Sequence, residues 1–464
     1  MAVETSEEAS SEDEGTTTYD AIVVGSGFSG MSAALSLQEA GKSVVVLEKR
    51  PESGYGGNSR VCVGALLVPP TDDEEGEEIF VSDMMEKSSD QADEDLVRVF
   101  AEGAWDGIYW LQGFGLDVGS EFVTLDPYEV VYTYNPDGGP STIMSTLKDA
   151  YEANGGEIVF SAKLLDLVMD DSARITGVKA RTENGLVTYY ADNVVIATGG
   201  YSGNKGFLEE YIGPEADQML VRGFEHMTGD GMLAAYRVGA GLIQVGGYEG
   251  LHIVAVSPQN TAYGTPSSAI PYSVAINSEG CRFVDESLGY VAHGKAVAEQ
   301  PGSVDAVVLD AGIIEAETNV ADTVESMAEY GVDVLTADTI EELAELIEVD
   351  PDTLVATIEE YNEHVNDDGT TSGLDVDKAA CAYKIENPPY YAYYPLNPGI
   401  TQSFGGLYVN TSFQVLEPDG EVIPGLYAVG ESIGGWAYDD YLGGASMMSC
   451  LVSGRTAASA IAAE

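Results

Sequence analysis

The chain has 464 residues, enough for two or three domains with a sizeable core. Its 78 acidic and 19 basic side chains leave a net charge of −59, which excludes nucleic acid and anionic membranes as natural partners and suits a positively charged redox protein. No apolar run is long enough for a transmembrane helix, and the N-terminus has neither the basic nor the apolar region of an export signal.

Residues 1–18, rich in Ser, Thr and Glu, read as a disordered acidic leader of the kind that follows a removed signal or an upstream domain. The protein is expected to be soluble, either cytoplasmic or exported. A first domain part is expected over 19–245. It begins with IVVGSGFSG at 22–30, an apolar strand running into Gly25, Gly27 and Gly30 and then a helix through Ala40. The first Gly permits a tight turn and the second a close backbone approach to a pyrophosphate. The third lets helix and strand pack, and Phe28 and Ser29 open the helix whose N-terminus receives the anion. Glu48, followed by Lys49, closes the next strand about 20 residues on, where a carboxylate binds ribose hydroxyls. Gly57, Asn58 and Ser59 lie in the GGNS run that follows, and helices are expected at 91–113 and 141–154.

NVVIATGG at 193–200 is a further β-branched run ending in Ala197, Thr198, Gly199 and Gly200, a third contact of the same sheet. Asp230 sits in TGDGM at 228–232. Between 246 and 385 the glycine fingerprints stop. A strand pair near 273–284 and helical segments at 313–330, 339–348 and 351–365 read as an inserted α+β cap domain. NDDGTTSG at 366–373 is a surface loop, and Pro388-Pro389 mark re-entry into the first domain over 386–464. The tyrosine-rich NPPYYAYYP at 387–395 reads as a hinge and pocket wall.

The last contact is PGLYAVGESIGGWAYDDYLGGASMMSCLVSGR at 424–455. Gly430 and Glu431 end a strand, and a helix starting after Gly444 with Ala445, Ser446 and Met447 aims its positive end at a second point on the ligand. Two dinucleotide contacts so far apart mean FAD, in a Rossmann-like α/β domain with an inserted cap. Cys62, Cys281, Cys381 and Cys450 form no paired motif and the four His have no ligand spacing, so no metal, iron–sulfur or c-haem site is expected.

The order GSGFSG, EKRPESGYGGNS, TGDGM, NSEGCRFVDE, FGGLYVN and GLYAVGE resembles the flavoprotein family of soluble fumarate reductases (flavocytochrome c type) and 3-ketosteroid dehydrogenases, from Tyr19 to the C-terminus. The resemblance implies non-covalent FAD, a mobile cap, and hydride transfer between flavin N5 and a carbon of an activated C=C or CH–CH bond. Where the fumarate reductases carry Arg, His and Arg, this chain has Tyr441 before Leu442-Gly443-Gly444, Gln402 before Ser403-Phe404-Gly405-Gly406, and Tyr290 four residues after Glu286. A site without two guanidiniums lacks bidentate partners for two carboxylates, which argues against fumarate.

The tyrosines are similar instead to those of the 3-ketosteroid dehydrogenases. That likeness implies Tyr441 polarising a substrate carbonyl, helped by the amide of Gly444 or Ala445, Gln402 on the substrate, and Tyr290 as general acid or base. A third aromatic is offered by VVYTYNPDGG, as Tyr134 or Tyr132, with Tyr134 favoured. A ketone-conjugated C–C bond, on a steroid-like molecule, is the expected point of reaction. GGNS resembles the fumarate-reductase branch, which keeps open a reductase of another unsaturated acid fed by an external cytochrome-like donor. That reading requires a pocket cation, for which Arg222, Arg282 and Lys295 are the candidates. A non-catalytic flavin electron relay is the remaining alternative. His226 and His252 read as packed or surface residues near the site.

Overall fold

The computed structural model describes residues 18–125, 128–245, 248–255 and 264–464, with only the backbone of 215, 217 and 248–255. The leader read over 1–18 lies outside them apart from Thr18, as does the side chain of His252.

Five strands make the parallel part of an eight-stranded sheet. Thr18–Val24 lies between Val44–Leu47 and Gly185–Ile196, with Glu157–Val159 beyond the first and Val422–Ala428 beyond the second. Ala21–Val24, Val44–Leu47 and Val194–Ile196 are buried throughout, as expected of parallel strands covered on both faces. An antiparallel hairpin, Lys163–Met169 with Ile175–Thr182, extends Gly185–Ile196, and Gln414–Leu416 closes the far edge. Backbone bonds carry the register past the strand ends: Gly25 N donates to Leu47 O at 2.8 Å, Ala197 N to Val24 O at 2.9 Å, and Val429 N to Ile196 O at 2.9 Å. The three glycine-rich turns are thereby aligned at one end of the sheet, the carboxyl-end crevice where open α/β sheets bind ligands.

Helix Phe28–Glu39 packs on the C-terminal helix Ala445–Ala463. Gly454 makes the close approach possible, since a Cβ there would lie 2.5 Å from Ser29 O. The helices expected at 91–113 and 141–154 are Glu94–Gly113 and Gly139–Ala153.

A second sheet has its own core, drawn from Ala269 to Leu396. The strand Tyr390–Ser403 is its spine, flanked by Leu220–Val221, Tyr248–Ala255, Asp305–Asp310 and Leu335–Ala337. Val274–Asn277 pairs with Asp305–Asp310, and only an isolated bridge, Ile276 to Arg282, joins the two halves of the 273–284 pair. The segment following Pro388-Pro389 therefore runs as a sheet strand, with Ala392, Tyr393 and Leu396 in the second core. Pro395, which has no N–H to give a ladder, is tolerated because the register shifts between Asp305 and Val307 opposite it. Helices Ala311–Ala316, Thr318–Glu329, Ile340–Leu346 and Pro351–His364 fall where the helical segments were expected. Among the described residues no helix is long and apolar enough to cross a membrane.

Candidate active site

A cleft opens at the aligned strand ends. Its lining includes Gly25, Gly27, Phe28, Ser29, Glu48, Lys49, Gly57, Asn58 and Ser59, then Ala197, Thr198, Gly199, Asp230 and Glu431. The helix starting at Phe28 has Gly27 as its N-cap, no side-chain cap and no acidic residue in its first turn. An anion entering the cleft would meet backbone N–H donors and the positive end of the helix dipole. Gly57, at φ 53°, and Gly199, at φ 73°, keep the wall thin, because a Cβ on either would come within 2.9 Å and 2.5 Å of Met227.

Glu48 ties the two fingerprint segments together. It is 7% exposed; its Oε2 accepts from Ser26 N at 3.0 Å and from Ser26 Oγ, and its Oε1 from Arg50 N at 2.8 Å. Ser59 Oγ accepts from Phe28 N at 3.2 Å, and Asn58 bridges Phe224 N (2.8 Å) to Thr401 O (3.2 Å). Lys49 donates to His226 O and pairs with Asp230 at 3.0 Å, while Lys163 meets the other oxygen of Asp230 at 3.1 Å. Burial raises the Asp230 carboxyl, but these two cations more than offset it and hold it below the usual range. The charges of Lys49 and Asp230 are thus engaged with the protein.

Gly30, Gly200, Gly430, Ala445, Ser446 and Met447 do not line this cleft. Gly30 and Gly430 are packing positions, where a Cβ would lie 2.1 Å from Gly25 O and 2.5 Å from Ser29 Oγ. At Gly200 it would meet Ser403 Oγ at 2.3 Å and Glu431 Oε1 at 2.5 Å. Ala445, Ser446 and Met447 open the C-terminal helix, whose N-cap Gly444 sits at φ 92°, again with no side-chain cap and no acid in the first turn. Lining residues that sequence reasoning did not place in the site include Ser26, Arg50, Met227 and Cys450, and His226, read as a packed or surface residue near it, is part of the lining. Ser26 and Arg50 could have been found as immediate neighbours of the fingerprint Gly and Glu. Burial, with Arg50 and Lys49 nearby, lowers the His226 imidazole, and burial pushes the Cys450 thiol up to about 12, which leaves it inert as a nucleophile.

Glu431 is half-buried on the cleft wall, with Ser403 N donating to Oε1 at 3.1 Å, and burial lifts its carboxyl from 4.5 to about 7. Because the folded value is the higher one, this carboxyl's stabilising contribution is complete below pH about 4.5 and is lost as pH rises through about 7, a change of about 3 kcal/mol. We expect FAD-free protein to lose denaturation midpoint between pH 5 and pH 8 by more than Glu431→Gln does. Parallel pH profiles for the two proteins would remove Glu431 as the source.

A second group lies where the two sheets meet. Tyr290 begins helix Tyr290–Ala298, and Tyr441 lies in the loop before Gly443-Gly444, with its ring edge-on to Phe404 at 5.3 Å. The two phenols lie near enough to influence each other's ionisation. Burial raises the Tyr290 phenol; Tyr441 and the nearby Lys87 and Arg222 oppose this, and Asp440 adds to it. Arg222 is held by its N–H on Ile400 O at 2.8 Å and by Nη1 on Thr401 Oγ1 at 3.2 Å, within the electrostatic reach of both tyrosines. Gln402, next along that strand, accepts from Ser446 Oγ at 2.9 Å, and its buried Nε2 has no partner among the described residues.

The other cations are committed elsewhere. Arg282 makes a two-point contact with the buried Glu286, at 3.0 and 2.9 Å, and lies over the Tyr361 ring, while Lys295 meets Asp439. Tyr134 is not brought into the group: its hydroxyl donates to the exposed Glu121 at 3.0 Å. The tyrosine of that stretch sharing the field of Lys87 and Asp440 is Tyr128, its phenol raised chiefly by burial. Nothing in the local pattern separates Tyr128 from Tyr132 and Tyr134.

The profile of the FAD binding domain family matches residues 20–447. The chain belongs to this family. It is an FAD-dependent oxidoreductase acting on carbon–carbon bonds, and the acid-free helix start and glycine cradle of the cleft fit the cofactor. It is 30% identical to the urocanate reductase of Eggerthella lenta, over 97% of this chain and 75% of that protein. The solved open conformation of a flavocytochrome c3 fumarate reductase superposes with a TM-score of 0.78 at 27% identity, over 96% of this chain and 78% of that one. The 3-ketosteroid-Δ4-(5α)-dehydrogenase of Rhodococcus jostii gives 0.77 at 22% identity, over 97% and 98%, and shares the fold.

Proposed function

We propose that this flavoprotein adds or removes hydrogen across a carbon–carbon bond conjugated to a single carbonyl, and that the neighbouring Tyr290–Tyr441 pair, whose phenols influence each other, performs the proton chemistry. FAD, held non-covalently in the cleft, supplies the hydride acceptor or donor. Glu48 and the N-terminus of helix Phe28–Glu39 would hold its ribose and pyrophosphate, and the start of helix Ala445–Ala463 would meet its ring. Tyr441 donates to the substrate carbonyl. That withdrawal of charge acidifies the α-hydrogen in one direction and activates the C=C in the other. Tyr290 moves the proton to or from the α-carbon, and the buried donor Gln402 Nε2 adds a contact to the substrate. The second core acts as the cap, presenting Tyr290 on the end of a helix.

Arg222 favours a second reading, reduction of an unsaturated monocarboxylic acid, because one guanidinium stands near both tyrosines. The urocanate reductase likeness points the same way. Two carboxylates would find no second guanidinium here, since Arg282 is bound to Glu286. Electrons would come from a separate, positively charged redox partner, in keeping with a net charge of −59.

The test is anaerobic reoxidation of the dithionite-reduced enzyme by 4-androstene-3,17-dione, urocanate, cinnamate and fumarate. An enone or a monoacid should reoxidise it and fumarate should not. Tyr441→Phe should slow the productive reaction about 10²-fold with FAD retained. Fast reoxidation by fumarate, undiminished in Tyr441→Phe, would overturn the reading.

A further inference from the structure

Two ion pairs converge on the residues just before Tyr441. Lys295 Nζ lies 2.7 Å from Asp439 Oδ1 and also bonds the Asp439 carbonyl, and Lys87 Nζ lies 2.7 Å from Asp440 Oδ2. The lysines come from different bodies of the fold. Lys87 ends helix Glu74–Lys87, which packs in the first core through Phe80, Val81 and Met84. Lys295 lies on helix Tyr290–Ala298, which packs in the second core through Val297, reaches the first core only at its last residue, Ala298, and carries Tyr290 at its first turn.

The aspartates form a tight turn between them. Asp439 has φ 63°, Asp440 N donates to Tyr438 O at 2.7 Å, and Asp440 Oδ1 accepts from Tyr441 N at 2.8 Å while its Oδ2 faces Lys87. One carboxylate therefore connects Lys87 directly to the backbone of Tyr441. Adjacent aspartates repel, and with 19 basic residues against 78 acidic ones, two lysines on consecutive aspartates is a concentrated use of scarce positive charge.

We propose that Lys295–Asp439 and Lys87–Asp440 form a clasp that docks the Tyr290 helix on the Tyr441 turn, making these four charged groups positioning residues for the tyrosine pair. Lys87–Asp440 fixes the turn to the first core, and Lys295–Asp439 brings the second core onto it. Breaking the second pair frees the Tyr290 helix to move away, so the assembled pair is populated less often. The catalytic consequence rests on the proton-transfer reading above, whereas the docking itself does not.

The experiment compares the FAD-loaded wild type, Lys295→Met, Asp439→Asn and the charge swap Lys295→Asp/Asp439→Lys. Amide hydrogen exchange over 290–298 reports docking without any substrate. Exchange should be about 2- to 5-fold faster in each single variant, the scale of a partly exposed ion pair, and return toward wild type in the swap. Raising salt to 0.5 M should speed exchange in the wild type and leave Lys295→Met unchanged. Turnover of whichever acceptor reoxidises the enzyme should fall in the single variants by the same factor and recover in the swap. Wild-type exchange in both single variants, or a swap that restores neither exchange nor turnover, would overturn the clasp. Full turnover in Tyr290→Phe would instead overturn the catalytic reading, with the exchange arm still reporting on docking.

Discussion

Tyr290→Phe is expected to lower turnover by roughly 10²- to 10³-fold while FAD remains bound at wild-type level, the scale of losing one positioned acid or base. The substitution keeps the ring packed against the second core and removes only a hydroxyl. Loss of one hydroxyl's polar interactions is worth about 1 kcal/mol, too little to unfold the chain. The pH dependence gives the sharper signature. Burial, the largest influence on this phenol, keeps it protonated through neutral pH. A group acting as an acid must carry its proton, so wild-type reduction holds across neutral pH and falls only as pH rises past that raised value. In the oxidative direction the phenol must be deprotonated first, and the rate climbs with pH over the same range. Tyr290→Phe removes this limb in either direction. Steady-state rates against pH with a constant electron donor or acceptor check it, and an unchanged alkaline limb in the variant would assign the proton to another group.

Gly25→Ala carries the largest expected effect on the cofactor. Gly25 sits at φ 114°, and a Cβ there would lie 2.2 Å from Ala197 O, a backbone atom of the neighbouring strand end that cannot step aside as a side chain can. Both the turn and the strand must shift, at about 3 kcal/mol or more, and the shift falls on the N-terminus of the helix that faces the cleft. FAD affinity should fall at least about 10²-fold. Gly41→Ala is the matched control. Gly41 also has positive φ, at 80°, but a Cβ there would meet nothing within 4 Å, so only the backbone strain of about 1 kcal/mol applies and FAD should stay bound. The ratio of flavin to protein absorbance after purification, followed by equilibrium titration of FAD, measures both. Wild-type FAD content in Gly25→Ala would end the cradle assignment.

The features legible in the chain were those made by contiguous residues. A strand running into Gly25-Ser26-Gly27 and a helix from Phe28 is a local geometry, and each strand end repeats the same logic within a few residues. Tyr390–Ser403 shows the opposite case. Its tyrosine-rich start at 387–395 read as a hinge and pocket wall, yet it is the spine of the second sheet, with Pro395 accommodated where the strand carries one more residue than Asp305–Asp310 opposite it. That pairing is with a strand some ninety positions upstream, and no local rule contains it.

Local chemistry by itself determined the cofactor and the parallel sheet that holds it, because backbone turns need no distant partner; the tyrosines offered for catalysis came from a resemblance to a family. Tertiary structure alone decided which charges stand beside those tyrosines. It set Arg222 near them and bound Arg282 to Glu286. It put Tyr128 rather than Tyr134 in the field of Lys87, raised the Glu431 carboxyl on the cleft wall and placed two lysines on the aspartates before Tyr441. Electrostatic influence falls off within a few ångströms to about a Debye length, so it depends on which remote segments the two packed cores bring into contact.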